Sequence, residues 1–440
     1  MASFVNKGND LNVRVMSRGL VSASDSSIKE HVLGVSNIDL LHGDFPVSLV
    51  CIYPRPPAGG FHAVVAAFES RLPSLLNHYS AHAGRIVANP RTGLPEILCK
   101  NQGAELIVGV ADVALADLDF SCMDLSISKI PLPYGGDVPL SVQVVSFACG
   151  GFSVAWGHNH LLGDGHALLG LVAGFSELAR TGRLDPAARP VHDRFLFRPS
   201  STPSRCRSSS LAAFMPLTSD RMTLAAVVGA ADTRCRMGWW VDGRRRLTAP
   251  EHRALATSSY VGNVSIFVLG EDGVEEIQRK PLPEVASMVR ELINARAYDD
   301  RFQEVVDRVE QHKSGATYMD ASNIGLGYPT VAVTAFTSFP MDTDLGFGHA
   351  AMAMTTTRGR GLCSGFVQIV AKPGGNGAWI VSASVWPKLA AALESDELRI
   401  FTPVTAEHLG LKLNEAVVKD GGSTLHRQRL QFCCTGLMGP

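Results

Sequence analysis

The chain has 440 residues, 46% of them hydrophobic, with 42 glycines and a formal net charge of -1. That length and apolar content suffice for two ordinary cores, and the balanced charge gives no electrostatic reason to expect nucleic acid or an anionic membrane as partner. The nine cysteines are odd in number, scattered and without a CxxC pair, which points to a reducing compartment and away from a zinc site.

Residues 1–8 lack the apolar centre of a signal peptide, and no uninterrupted apolar run reaches the roughly 18 residues of a membrane helix. A soluble, cytoplasmic protein is therefore expected. Residues 141–147 and 152–156 are apolar and separated by Gly150-Gly151, which reads as two strands meeting at a turn. Cys149 beside that turn is read as a small buried residue and not as a nucleophile. The strands lead into His158-Asn159-His160-Leu161-Leu162-Gly163-Asp164-Gly165, an HxxxDG run. A histidine at a strand end suits proton abstraction near neutral pH, because its ordinary pKa lies there. His160 is the candidate base. Asp164 has two available jobs: to orient His160 as a triad carboxylate, or to pair with an arginine and shape the loop. A metal reading of His158, His160, Asp164 and His166 lacks any supporting Cys partner or HExxH spacing.

After Gly165 the apolar residues Leu168, Leu169, Val172, Phe175 and Leu178 recur at helical steps, so a helix is expected to about Ala179. Residues 200–210, rich in serine, proline and arginine, read as a linker between two halves. Further on, an apolar segment from Val331 to Phe339 and the break at Pro340 precede Asp344-Leu345-Gly346-Phe347-Gly348, which reads as a strand followed by a tight, glycine-permitted loop.

The two signatures together resemble those of the BAHD acyltransferases, plant enzymes that move an acyl group from coenzyme A to an alcohol or amine. Their motifs are HxxxD and DFGWG, the second standing here as DLGFG with apolar character kept. Further segments are similar to the family's: Ser36-Asn37-Ile38-Asp39-Leu40 to its opening strand, His78 to Arg85 to FYPLAGR, Phe147 to Phe152 to FxCGGF, Tyr260-Val261-Gly262-Asn263 to YFGN, and Ile400-Phe401-Thr402-Pro403 to its closing segment.

The resemblance implies an α/β fold of two similar domains with mixed sheets and flanking helices, chloramphenicol acetyltransferase-like, with the active-site channel between them. The expected division is residues 1–199 as the N-terminal domain, 200–225 as a shortened linker, 226–413 as the C-terminal domain and 414–440 as a disordered tail. It implies His160 as general base without a covalent intermediate, and Asp164 turned toward an arginine as a structural residue beside Gly165. It also implies that Asp344, with Gly346 and Gly348, holds its loop through an arginine, for which Arg290 is the candidate, an exposed helix position being the alternative. Arg244, Arg245 and Arg246 in Asp242-Gly243-Arg244-Arg245-Arg246-Leu247 match VDGRxRL and are candidates for the phosphates of the co-substrate acyl-CoA, a solvated basic loop being the alternative. No metal, a small-molecule acceptor and a monomer are expected.

Family members that acylate shikimate or quinate carry an arginine in SWxRLP where this chain has Ser338, which disfavours an anionic cyclic acceptor; a hydroxycinnamoyl donor follows from family frequency alone. Between His192-Asp193 and Asp242-Gly243 family members usually carry a longer stretch, and the resemblance implies that part of it is absent here. That gap keeps two other readings in view, a non-catalytic interaction protein and a truncated, inactive product of an acyltransferase gene.

Overall fold

The computed structural model describes residues 11–201 except 56, 234–294, 298–313, 330–357 except 340 and 342–343, 365–385 except 375–376, 390–393 except 392, 401–411 and 430–436. The linker expected over 200–225 lies outside the described residues from 202 onward.

In chain order the strands are β1 (Val13–Val21), β2 (His31–Gly34), β3 (Pro46–Tyr53), β4 (Arg85–Ala88), β5 (Pro95–Cys99), β6 (Ala104–Ala111), β7 (Leu140–Phe147), β8 (Phe152–Asn159), β9 (Pro190–Val191), β10 (Arg234–Asp242), β11 (Ser259–Tyr260), β12 (Ser265–Gly273), β13 (Thr330–Phe336), β14 (Met352–Thr357), β15 (Gly365–Ala371), β16 (Trp379–Val385), β17 (Phe401–Pro403) and β18 (Leu430–Gly436). Among the described residues the helices are α1 (Asn37–His42), α2 (Gly60–Leu76), α3 (Gly165–Thr181), α4 (Val274–Arg279), α5 (Leu282–Ile293) and α6 (Tyr298–His312).

Two mixed sheets carry the fold. The first has the order β1-β6-β7-β8-β3-β14 and the second β12-β10-β13-β15-β16-β18-β17. β7 and β8 are antiparallel neighbours joined at Gly150, whose φ of 80° is a conformation that glycine adopts without steric cost. The centre of β7 and β8 is buried on both faces, which explains its continuous apolar sequence. Helices α2 and α3 cover this sheet through stacked Phe68 and Phe175, whose rings meet Trp156 of β8 at 5.7 and 5.3 Å.

The two halves exchange elements. β14, from the C-terminal half, pairs antiparallel with β3 from Met352↔Ile52 to Thr357↔Val47 and completes the first sheet. In return α1 places Ile38, Leu40 and Leu41 in the core of the second sheet's layer, where the Asn37 amide donates to Val306 O of α6. The division at residues 199 and 226 is therefore one of sequence, not of space.

Three expectations are corrected. Residues 36–40 are not a strand: Ser36 caps α1, and Asp39 accepts from both the Ser36 amide and hydroxyl in a capping box. The tail expected to be disordered contains β18, inserted in parallel between β16 and β17, while the rest of 414–440 lies outside the described residues. Cys149 is exposed on the β7–β8 turn and not buried, its Sγ accepting from Leu115 N at 3.4 Å.

Candidate active site

His160 follows the last residue of β8 and opens a single 3-10 turn, with its amide held by Phe45 O at 2.9 Å. Its side chain is partly buried. Nδ1 lies 3.1 Å from Asn263 Oδ1. The Asn263 amide nitrogen donates to Asp39 Oδ1 at 2.9 Å and to His160 O at 2.8 Å, so its oxygen is left as acceptor. Nδ1 of His160 therefore carries the proton and donates, and Nε2 keeps the lone pair that a general base needs. Nε2 makes no hydrogen bond among the described residues. Burial lowers the pKa of His160, opposed by Asp164, Asn263 and Asp39, so the ring is neutral at pH 7.

The asparagine is itself held. Asp39 Oδ1 also accepts from the Asn263 backbone N–H at 3.0 Å and from Arg194 Nη1 at 2.9 Å, and Arg194 Nη2 reaches Leu162 O at 2.8 Å. Gly262 has no room for a side chain, because a Cβ there would lie 2.5 Å from Arg194 Nη1 and 2.6 Å from the Tyr260 ring. That crowding accounts for the glycine of Tyr260-Val261-Gly262-Asn263.

Asp164 turns away from His160. It caps α3 by accepting from Ala167 N at 3.2 Å, and its two oxygens receive Arg244 Nη1 and Nη2 at 2.8 and 3.0 Å and Val264 N at 2.9 Å. Burial works against its charged form, but the Arg244 charge and these hydrogen bonds outweigh it and hold the carboxyl below the usual range. Gly165 sits under Phe336, whose ring would be 2.3 Å from an added Cβ.

Arg244 is thus corrected from a phosphate ligand to a buried structural cation: it is 2% exposed and committed to Asp164, Asp242 and Gly262 O. Arg246 is also engaged, donating to Ile293 O at 2.9 Å and lying 5.2 Å over the Tyr298 ring. Arg245 is exposed and makes no hydrogen bond among the described residues.

Asp344 is not paired with Arg290. Its Oδ1 accepts from the amides of Gly346 and Gly348 at 2.8 and 2.9 Å, both glycines having positive φ of 89° and 86°. Arg290 lies on the exposed side of α5. The Asp344 carbonyl accepts from the Ser176 hydroxyl of α3, Leu345 is fully buried, and Phe347 packs edge-on against Phe152 at 5.8 Å. The loop fastens the chain before β14 to the N-terminal core. Ser338 is exposed on the turn after β13.

Among the described residues no group of three His, Cys, Asp or Glu side chains could hold a metal. Nor is any helix there long and apolar enough to cross a membrane.

The family model described as the Transferase family matches residues 11–223 and 221–384. The chain belongs to the BAHD acyltransferase family. The match divides at residues 221–223. Acyl transferase 10 of Oryza sativa subsp. japonica is 32% identical over 30% of this chain and 32% of its own length. Putrescine hydroxycinnamoyltransferase of the same organism is 27% identical over 44% of this chain and 43% of its own. The chain thus spans a third to about two fifths of these curated relatives' length. Vinorine synthase has a similar fold, with a TM-score of 0.58 and 15% identity over 84% of this chain and 93% of its own. So has Fusarium graminearum TRI101 in complex with coenzyme A and T-2 mycotoxin, with a TM-score of 0.63 and 13% identity over 84% of this chain and 98% of its own. The BAHD-type two-domain α/β architecture is common to all three.

Proposed function

We propose that the protein transfers an acyl group from acyl-CoA to the hydroxyl or amine of a small metabolite that carries no carboxylate, with His160 as general base. The observation that carries this reading is the His160–Asn263–Asp39 chain, which leaves Nε2 as a lone-pair nitrogen on a neutral ring. In the reaction the acceptor's O–H or N–H proton passes to Nε2 as its heteroatom attacks the thioester carbon. The tetrahedral intermediate then collapses, the C–S bond breaks, and the departing thiolate takes the proton from His160. No acyl-enzyme is needed, and holding both substrates beside one base removes several kcal/mol of encounter cost.

Arg245 is the arginine of its triplet available to a CoA phosphate, since Arg244 and Arg246 are spent on structure. The exposed Ser338 offers no cation to an acceptor carboxylate. A hydroxycinnamoyl donor is the first to try, as relatives named for that group are found among rice and daffodil enzymes. An intact base and its tautomer-setting partner favour this reading over a non-catalytic interaction protein or an inactive gene product. We propose further that the enzyme acts as a cytoplasmic monomer. The test is product formation, read by mass spectrometry, from acetyl-, benzoyl- and p-coumaroyl-CoA with an alkyl alcohol, a flavonoid glycoside, putrescine and shikimate. Acyl products from an uncharged or amine acceptor are expected, and shikimate is expected to be poor. Absence of any product from folded protein would remove the proposal.

A further inference from the structure

One neighbour of the base has no place in the mechanism above. His42, the last residue of α1, is 4% exposed. Its ring lies parallel to that of His160, with centroids 4.7 Å apart and planes at 11°. On the side of the second sheet it meets Trp240 of β10 at 4.8 Å, and Trp240 meets Phe267 of β12 at 5.4 Å. Phe45 touches His160 at 5.2 Å, so the base is one member of an aromatic row that runs from the first sheet into the second. His42 cannot swing within that row. Its Nε2 is 3.0 Å from Ser265 O and 3.1 Å from Ser265 Oγ, and a carbonyl acceptor fixes the proton on Nε2.

We propose that His42 is a positioning residue for acyl transfer: its anchored ring holds the plane of the His160 imidazole, so that Nε2 keeps its aim, and keeps water off the stacked face. This rests on the reading of His160 as the base. Aromatic stacking of this kind contributes beyond simple area burial. A neutral ring is also the only tolerable partner, since two imidazolium ions at this distance repel. His42 meets that condition, as burial and then the neighbouring His160 push its pKa down to about 3, against the opposing influence of Ser265, Asp164 and Asp39. The other titratable or charged groups acting on His160 and its strand are Asp164, Asp39, His158 and Arg194. A base shielded on one face stays neutral at lower pH, because water there would favour the charged form.

The test compares His42→Ala, His42→Leu and His42→Phe. Carbethoxylation of His160 by diethyl pyrocarbonate is followed against pH by peptide mass spectrometry, which needs no substrate. Turnover of p-coumaroyl-CoA is measured with the acceptor that gives product. The alanine variant should move the His160 inflection upward by at least half a pH unit toward the ordinary histidine value and lose roughly tenfold or more in kcat with KM for the donor little changed. His42→Leu, which fills the site without a planar ring, should lose kcat similarly and serves if the alanine variant does not fold. His42→Phe should keep the inflection and stay within about threefold of the parent. Wild-type kcat and an unmoved inflection in the ring-less variants would overturn the proposal, and so would an equal loss in the phenylalanine variant, which would assign the effect to the Ser265 hydrogen bond. If His160→Ala retains full turnover, the reading of the base itself has failed; if it is inactive while His42→Leu is normal, only the role of His42 has.

Discussion

Asn263 decides which nitrogen of His160 is basic. An imidazole has one protonated and one free nitrogen, and the acceptor oxygen that Asn263 presents at 3.1 Å puts the proton on Nδ1. Asn263→Ala should therefore cost about 1–3 kcal/mol in transition-state stabilisation, the usual penalty for an orphaned buried polar group, seen as a roughly 5- to 150-fold fall in kcat. Steady-state kinetics checks this, and an unchanged kcat would mean that the tautomer is set otherwise. His160 was legible as a candidate base because its spacing to Asp164 is local. Asn263 was visible only as part of a matching tetrapeptide, because its partner is 103 residues away. Similarly, Asp164 was expected to meet an arginine, but the choice of Arg244 over the rest depends on a contact across 80 residues. Arg290 is the converse case: the resemblance points Asp344 to an arginine, but Asp344 Oδ1 accepts from the amides of its own loop and Arg290 takes the alternative place, exposed on α5.

Among elements, α1 is the one whose sequence misled. Residues 36–40 resemble the family's opening strand, yet Ser36 and Asp39 at capping-box spacing mark a helix start. Asp39 then does double duty, since the oxygen not used in the cap holds Asn263 and Arg194. Ser36→Ala should destabilise the protein by about 1 kcal/mol, read as a lower urea midpoint with unchanged slope, and should reduce turnover more than an exposed serine substitution because it loosens the support of Asn263. An unaltered midpoint would show that the cap contributes nothing. By contrast β7, β8 and α3 followed the expected pattern, for the period of each is imposed by burial of its own apolar residues. The start of α3 at Gly165, earlier than the apolar repeat alone indicates, reflects the Asp164 cap.

At the scale of the whole molecule, the exchange of β14 and α1 makes the two halves interdependent, and the Asp164–Arg244 pair ties α3 to the turn after β10. Asp164→Asn leaves a buried guanidinium short of its main countercharge, so a loss of about 3 kcal/mol is expected in equilibrium unfolding, with Asp242 limiting the damage. A change within error would show that the pair is not structural. Acid should also weaken the fold. His42 and His158 are held at about 3, mainly by burial, whereas the unfolded chain takes up protons near 6.5. The unfolded state thus binds more protons below about pH 6.5, and stability present above that value is lost as pH falls toward 3, by up to about 1.4 kcal/mol per pH unit for each histidine. Asp164, whose pKa is depressed, adds a loss in the same direction below about pH 4. Urea midpoints that stay flat between pH 7 and 5 would contradict this.

The most direct measurement compares wild type and His160→Ala, both shown to be folded, in acyl transfer from p-coumaroyl-CoA. The substitution is expected to cut kcat by roughly 10²- to 10⁴-fold, the usual worth of a general base, while donor binding is kept. Equal turnover by the two proteins would contradict the central claim that the neutral Nε2 of His160 takes the acceptor's proton.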